Sequence, residues 1–179
     1  MMLKGKKIDL VLAEKKDLSI LRDWLNDVDF VGGYEPFQQQ TLSELEKQYD
    51  SKNEHNEYFV QKKDGTKIGV VVHFKAGDQY GIGYMLLPAE RMKGYGGEAV
   101  QIMVDYLFLH KNIVRIQAET HTANMASQRV LEKTGFKREG MLRKTFFSRG
   151  VWRDTAMFSI IREEWKTPKI LPLGYIQKE

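Results

Sequence analysis

Arg91-Met92-Lys93-Gly94-Tyr95-Gly96-Gly97-Glu98-Ala99 is the stretch around which this chain is organised. Before it, Tyr80 to Leu87 reads as a strand closed by Pro88. After it, Ala99, Met103, Tyr106, Leu107 and His110 recur at helical spacing, which predicts a helix over 99–110. The glycines therefore fall at a strand-to-helix turn. The first N–H groups of a helix have no internal acceptor, and the helix dipole adds positive potential there. Residues without side chains let a phosphate approach those donors closely. Arg91 and Lys93 add formal charge alongside, so the stretch reads as a pyrophosphate cradle.

Two better-known cradles do not fit. A dinucleotide fingerprint needs G-x-G-x-x-G in a first βαβ unit with an acid about 20 residues on. A P-loop needs Lys-Ser or Lys-Thr after its last glycine, and neither follows here.

The rest of the chain bounds the setting. Its 179 residues suit one domain spanning 1–179, and 42% hydrophobic with 29% charged residues is the balance of a soluble globular protein. No apolar run is long enough for a membrane span, and Met1 to Lys7 is charged with no apolar segment behind it, so a cytoplasmic protein with no membrane partner is expected. With no Cys, a disulfide, a thiolate metal site and an acyl-enzyme through sulfur are all excluded. The four His are not ligand-spaced, so no metal is expected. The net charge of +4 is modest, and the late basic residues, Arg129 to Arg153, are interleaved with Glu132, Glu139 and Asp154. That is not a nucleic-acid stripe, and no direct nucleic-acid binding is expected.

Read in order, Ile8–Leu12 alternates as a first strand. Asp17 reads as the N-cap of a helix carrying Leu18, Leu21, Trp24 and Leu25. Val31 to Phe37, with two glycines and a proline, is a loop; Thr41-Leu42-Ser43-Glu44 is a capping box opening a second helix that ends near Asp50. A polar connector from Asp50 to Asn56 leads to strands over 58–62, 67–74 and 80–87, with Asp64-Gly65 as a hairpin turn. A strand over 114–120, a helix over 124–133 closed by Gly135, and strands over 136–147 and 155–161 complete the pattern. Arg162 to Trp165 is a short turn, and Pro168 and Pro172 make the tail irregular. The order β α α β β β α β α β β describes a mixed α/β (α+β) sheet flanked by helices.

Arg91, Gly94 and Gly96 resemble the R/Q-x-x-G-x-G/A signature of the GNAT N-acetyltransferases. Asn124 to Gly140, N-M-A-S-Q-R-V-L-E-K-T-G-F-K-R-E-G, resembles the corresponding segment of the RimJ/RimL branch of that superfamily. Ile82-Gly83-Tyr84, Arg153-Asp154 and Glu164-Trp165 look like further marks in the expected order, so the resemblance covers essentially the whole chain. It implies the GNAT fold: a mostly antiparallel sheet splayed between the fourth and fifth of these strands, with acetyl-CoA in the opening as cosubstrate. On that analogy the main chain of Met85, Leu86 and Leu87 meets the pantetheine amides, much as an added strand would. The segment Arg91, Met92, Lys93, Gly94, Tyr95, Gly96, Gly97 and Glu98 holds the pyrophosphate. Asn124 bonds the pantetheine arm and Ser127 lies near the thioester sulfur.

The implied reaction is direct attack of an amine on the thioester, with a base for the amine proton and an acid for the leaving thiolate. Many relatives use a tyrosine acid seven residues after the Asn; Leu131 stands there, so Ser127 is the substitute. The base candidates are Glu119 and His121 at a strand end, Glu35 in the loop, and His73. Leu131 and the unassigned base also support an alternative, a non-catalytic acyl-CoA-binding or scaffold protein of the same fold. The acceptor is an amine, either a peptide N-terminus such as that of a ribosomal protein or a small amine-bearing molecule. A roof over 31–37 and a basic floor over 143–153 rank anion-bearing amines above polyamines. A homodimer is compatible with the reading.

Overall fold

The computed structural model describes residues 2–51 and 55–172. Its strands are β1 (Met2–Lys4), β2 (Ile8–Leu12), β3 (Asn56–Lys62), β4 (Lys67–Ala76), β5 (Gln79–Leu86), β6 (Arg115–His121), β7 (Lys137–Ser148) and β8 (Val151–Ile161). Its helices are α1 (Leu18–Leu25), α2 (Val28–Val31), α3 (Leu42–Asp50), α4 (Tyr95–His110), α5 (Met125–Lys133) and α6 (Arg162–Trp165). The strands form one sheet in the order β1-β2-β3-β4-β5-β6-β8-β7. Every neighbouring pair is antiparallel except β5–β6. Parallel neighbours cannot be joined by a tight turn, and α4 is the crossover that joins these two.

Several expectations need correction. The chain enters the sheet one strand earlier than Ile8, through Met2–Lys4, so the strands counted fourth and fifth are β5 and β6. Three residues are too few to show alternation. Just before the expected loop, Val28–Val31 makes a helical turn capped by Asp27, whose Oδ1 accepts from the Asp29 N–H at 2.8 Å. Asp17 stands at the N-cap position of α1 as read, but its side chain makes no capping bond there: it ends a 3-10 turn over 15–17, where its carboxylate accepts from the Glu14 N–H and pairs with Lys67. β8 begins at Val151 rather than Thr155. The capping box is as read, with Thr41 Oγ1 accepting from the Glu44 N–H and the Glu44 carboxylate accepting from the Thr41 N–H. Of the polar connector, 52–54 lie outside the described residues, as does the tail from 173 on.

Two apolar layers hold the sheet. Against one face lies α4, where Ala99 to Asp105, Leu107 and Phe108 are all buried. A helix covered on nearly every side has little amphipathic pattern left, and this one packs on Ile8, Leu10, Tyr58, Ile82, Ile116 and Phe158. Against the other face, Leu18, Leu21 and Phe30 pack on Phe59 and Val70, with Met85 and Leu87 at the margin. The opening between β5 and β6 thus lies at the meeting of two firm layers.

Candidate active site

The ladder between β5 and β6 is three residues long: Tyr80↔Ile116, Gly81↔Gln117 and Ile82↔Ala118. β5 continues to Leu86 and β6 to His121 without each other, while both stay in register with their outer neighbours. The parting is therefore a cleft between rigid walls. Its wall chemistry can be read from the ladder. Leu87 donates its N–H to the Ile68 carbonyl and accepts from the Glu90 N–H, both at 2.9 Å. Alternate residues of an antiparallel strand direct their main chain to the same side, so Met85 also faces β4, and Tyr84 and Leu86 face the cleft. This corrects the expectation for Met85, Leu86 and Leu87: of the three, Leu86 alone presents main chain to the cleft. Its carbonyl accepts from Arg91 Nε at 3.0 Å, which leaves its N–H as the donor there.

At the mouth, α4 begins at Tyr95, four residues before the expected start, so Gly96 and Gly97 lie inside its first turn. Glycine is a poor helix former, which is why apolar spacing placed the start at Ala99. Gly94 takes a left-handed conformation at φ +86°, and Met92 beside it a strained φ of +62°. The helical ladder opens with Glu98 N–H to the Gly94 carbonyl, so the N–H groups of Tyr95, Gly96 and Gly97 precede it. A Cβ on Gly97 would meet nothing within 4 Å, and one on Gly96 would first meet Leu86 Cδ1 at 3.6 Å. Open approach to several aligned donors fits a pyrophosphate.

The formal charges lie elsewhere than expected. The Arg91 guanidinium donates to the carbonyls of Leu86, Asp29 and Phe30, tying the cradle to α2. Lys93 pairs with Glu90 at 3.1 Å. The Glu98 carboxylate accepts from the N–H groups of Lys6, Lys7 and Ile8, so that side chain anchors the β1–β2 turn and is no phosphate ligand.

Across the cleft, Asn124 caps α5, its Oδ1 accepting from the Ser127 N–H at 3.1 Å. Ser127 Oγ lies 2.9 Å from the Tyr84 hydroxyl, which also reaches the Ser127 carbonyl at 3.2 Å. Burial pushes the Tyr84 phenol up to about 12, with the Ser127 contact pulling the other way. In the sequence, Tyr84 stands out only as part of the Ile82-Gly83-Tyr84 motif. Its signal was a phenol on the strand that borders the opening. Leu131 is fully buried in the main core, which accounts for an aliphatic residue at that position.

On the other side of the cleft the loop and the late hairpin meet. Ser148 Oγ donates to the Glu35 carbonyl at 3.2 Å and Arg149 Nη2 to the Gly32 carbonyl at 3.0 Å. The Tyr34 ring lies 5.3 Å from that of His121, tilted to it, with Phe146 edge-on to His121 at 5.9 Å. Glu35 keeps an exposed surface, yet the protein crowding its carboxyl raises its pKa through desolvation. Glu119 is exposed, one residue past the last β5–β6 pair. His121 Nδ1 accepts the Ala123 N–H at 2.8 Å, so the neutral ring carries its proton on Nε2. Burial lowers its pKa, nearby Arg153 lowers it further and Asp154 opposes them. A ring held this way is a donor and not a base. His73 is wholly buried among Tyr58, Tyr80 and Tyr106 and leaves the field of candidates. Among the described residues no three His, Asp or Glu gather as a metal site, and no helix is long and apolar enough to cross a membrane.

A mixed sheet parted between its two parallel strands, with a glycine-rich helix start at the mouth, is the architecture of an acyl-CoA-dependent transferase. The chain belongs to the GNAT acetyltransferase family, of the RimJ/RimL type: the model described as Acetyltransferase (GNAT) domain matches residues 8–137. A probable N-acetyltransferase, YjcK, of Bacillus subtilis is 34% identical over 131 residues, 71% of this chain and 72% of that protein. The aminoglycoside N(6')-acetyltransferase type 1 of Klebsiella pneumoniae is 29% identical over 74% of this chain and 75% of its own length. The spermidine N-acetyltransferase of Vibrio cholerae, solved with CoA and spermine, superposes with a TM-score of 0.81 over 90% of this chain and 99% of that one, at 21% identity. The protein is an acetyl-CoA-dependent N-acetyltransferase.

Proposed function

We propose that the acceptor is a primary amine carrying an anionic group nearby, and that it attacks directly in a ternary complex bounded by the 31–37 loop and the β7–β8 hairpin. When bound, acetyl-CoA supplies a thioester whose acetyl carbon takes the amine lone pair and whose sulfur departs. The residues of this chain supply the rest. The N–H groups of Lys93 to Gly97 hold the pyrophosphate, and the Asn124 amide bonds the pantetheine arm. The Leu86 N–H is the donor for the carbonyl oxygen as charge develops on it, an effect worth about 3 kcal/mol in comparable sites. Ser127 Oγ, held by Tyr84, relays a proton to the departing sulfur and takes one back from solvent water, so the hydroxyl is restored. Glu35 or Glu119 takes the amine proton. The raised pKa of Glu35 moves it toward the range a base needs near neutrality.

The observation that carries this reading is the Tyr84–Ser127 contact across the cleft where β5 and β6 part. It places a hydroxyl pair beside the channel in a fold whose usual acid position is filled by packing. The acceptor preference rests on Arg143, Lys144 and Arg149 along the hairpin, set against the carboxyls of Glu35 and Glu119. A peptide N-terminus followed by acidic residues satisfies both, as does an anion-bearing amino-sugar or nucleotide conjugate. The kinship with an aminoglycoside enzyme favours a second reading, a cationic small amine drawn to Glu35 and Glu119. The test is kcat/KM for spermidine, an aminoglycoside and free-N-terminus peptides at low and high salt. Acidic peptides are expected to lead at low salt and lose ground at high salt. A preference for spermidine that is insensitive to salt overturns the reading.

A further inference from the structure

We propose that Lys7, from the turn between β1 and β2, is the cation that meets the pyrophosphate of the cosubstrate. The two cations beside the cradle in sequence are both occupied, Arg91 by three carbonyls and Lys93 by Glu90. In their place the fold brings a residue 87 positions earlier than Gly94: an added Cβ on Gly94 would lie 3.7 Å from Lys7 Nζ. Among the described residues that ammonium makes no ion pair, and the Lys7 side chain is exposed at the mouth.

The placement is built. The Glu98 carboxylate, in the first turn of α4, accepts from the N–H groups of Lys6, Lys7 and Ile8 at 2.6, 2.7 and 3.3 Å. The turn fits against it only because residue 5 is glycine: a Cβ there would lie 2.6 Å from Glu98 Oε1 and from Ile102 Cδ1. From behind, Lys63 Nζ donates to the Gly5 carbonyl and to Asp9. An acid at a helix start would otherwise repel an incoming phosphate. Here three N–H groups offset its charge, and the same contacts deliver a lysine to the phosphate side.

This inference rests on the cradle proposed above, and the experiment separates the two. Calorimetry would compare coenzyme A and 3'-dephospho-coenzyme A on the wild type, Lys7→Ala, Lys7→Glu, Lys4→Ala and Gly96→Pro. Lys7→Ala is expected to bind both ligands about five-fold more weakly, with unchanged thermal unfolding and a loss that shrinks as salt rises. Lys7→Glu should be weaker still, and Lys4→Ala should match the wild type. Wild-type affinity in Lys7→Ala, an equal loss in Lys4→Ala, or a loss that vanishes with the dephospho ligand each overturns the proposal for Lys7 while the cradle stands. Unchanged binding in Gly96→Pro overturns the cradle itself.

Discussion

The Tyr84 and Ser127 hydroxyls lie 2.9 Å apart on two elements that meet only across the cleft. A serine alone is a weak acid. A partner that fixes its rotamer keeps its proton aimed, and a phenol pushed up to about 12 stays protonated while doing so. Tyr84→Phe should therefore lower kcat several-fold with coenzyme A affinity nearly unchanged, and Ser127→Ala should lower it further, both read by steady-state kinetics beside calorimetry. Equal kcat in both variants and the wild type would return the pair to packing. His121 makes a prediction about pH. With burial foremost and Arg153 near, against the opposing pull of Asp154, the folded ring titrates below the roughly 6.5 of a free histidine. The unfolded chain then binds the extra proton. The stabilisation is full above that value and is lost as pH falls through the folded pKa. Thermal unfolding of the wild type between pH 7.5 and 5 should show this decline, and His121→Gln should flatten it.

At the scale of elements, the cradle depends on where α4 begins. Starting the helix at Tyr95 puts the least hindered residues at the positions whose N–H groups lack acceptors. Gly96→Pro removes one donor and adds a ring 3.6 Å or less from Leu86, so coenzyme A binding should fall below detection by calorimetry while the fold is retained, since proline is tolerated in a first helical turn. The hairpin of β7 and β8 matters in a different way. Its register shifts between Leu142 and Phe146, and Lys144 takes φ +53° there. That irregularity lets the strand bend, and the hairpin end reaches the 31–37 loop through Ser148 and Arg149.

For the whole molecule, the segment from Trp165 to Leu171 is held by one carboxylate. Asp105, wholly buried in α4, accepts from the Trp165 indole N–H and from the N–H groups of Lys169, Ile170 and Leu171. Asp105→Ala would strip five donors of their acceptor, the Gln101 side-chain amide among them and three of them main-chain groups in a segment with no ladder of its own. A loss of at least about 3 kcal/mol is expected in denaturant unfolding. A smaller change would mean that the 169–171 segment finds other acceptors. The same helix thus begins at the mouth of the cleft and secures the 165–171 segment near its other end, which couples cleft and core through one element.

Sequence alone determined the mixed sheet, the order of nearly all its strands and helices, a glycine-rich strand-to-helix turn and the family, because alternation, capping and glycine spacing are local signals. Tyr84, Lys7 and the true roles of Arg91 and Glu98 were not legible, since each depends on a partner far away in the chain. Ser127 lies 43 residues from Tyr84, and Glu98 91 residues from Lys7. Nothing near Arg91 announces that its guanidinium will meet the carbonyls of Asp29 and Phe30. Side-chain chemistry is a property of residue type, but which charge remains free to meet a ligand is decided by the neighbours that folding brings, and those only the tertiary structure supplies.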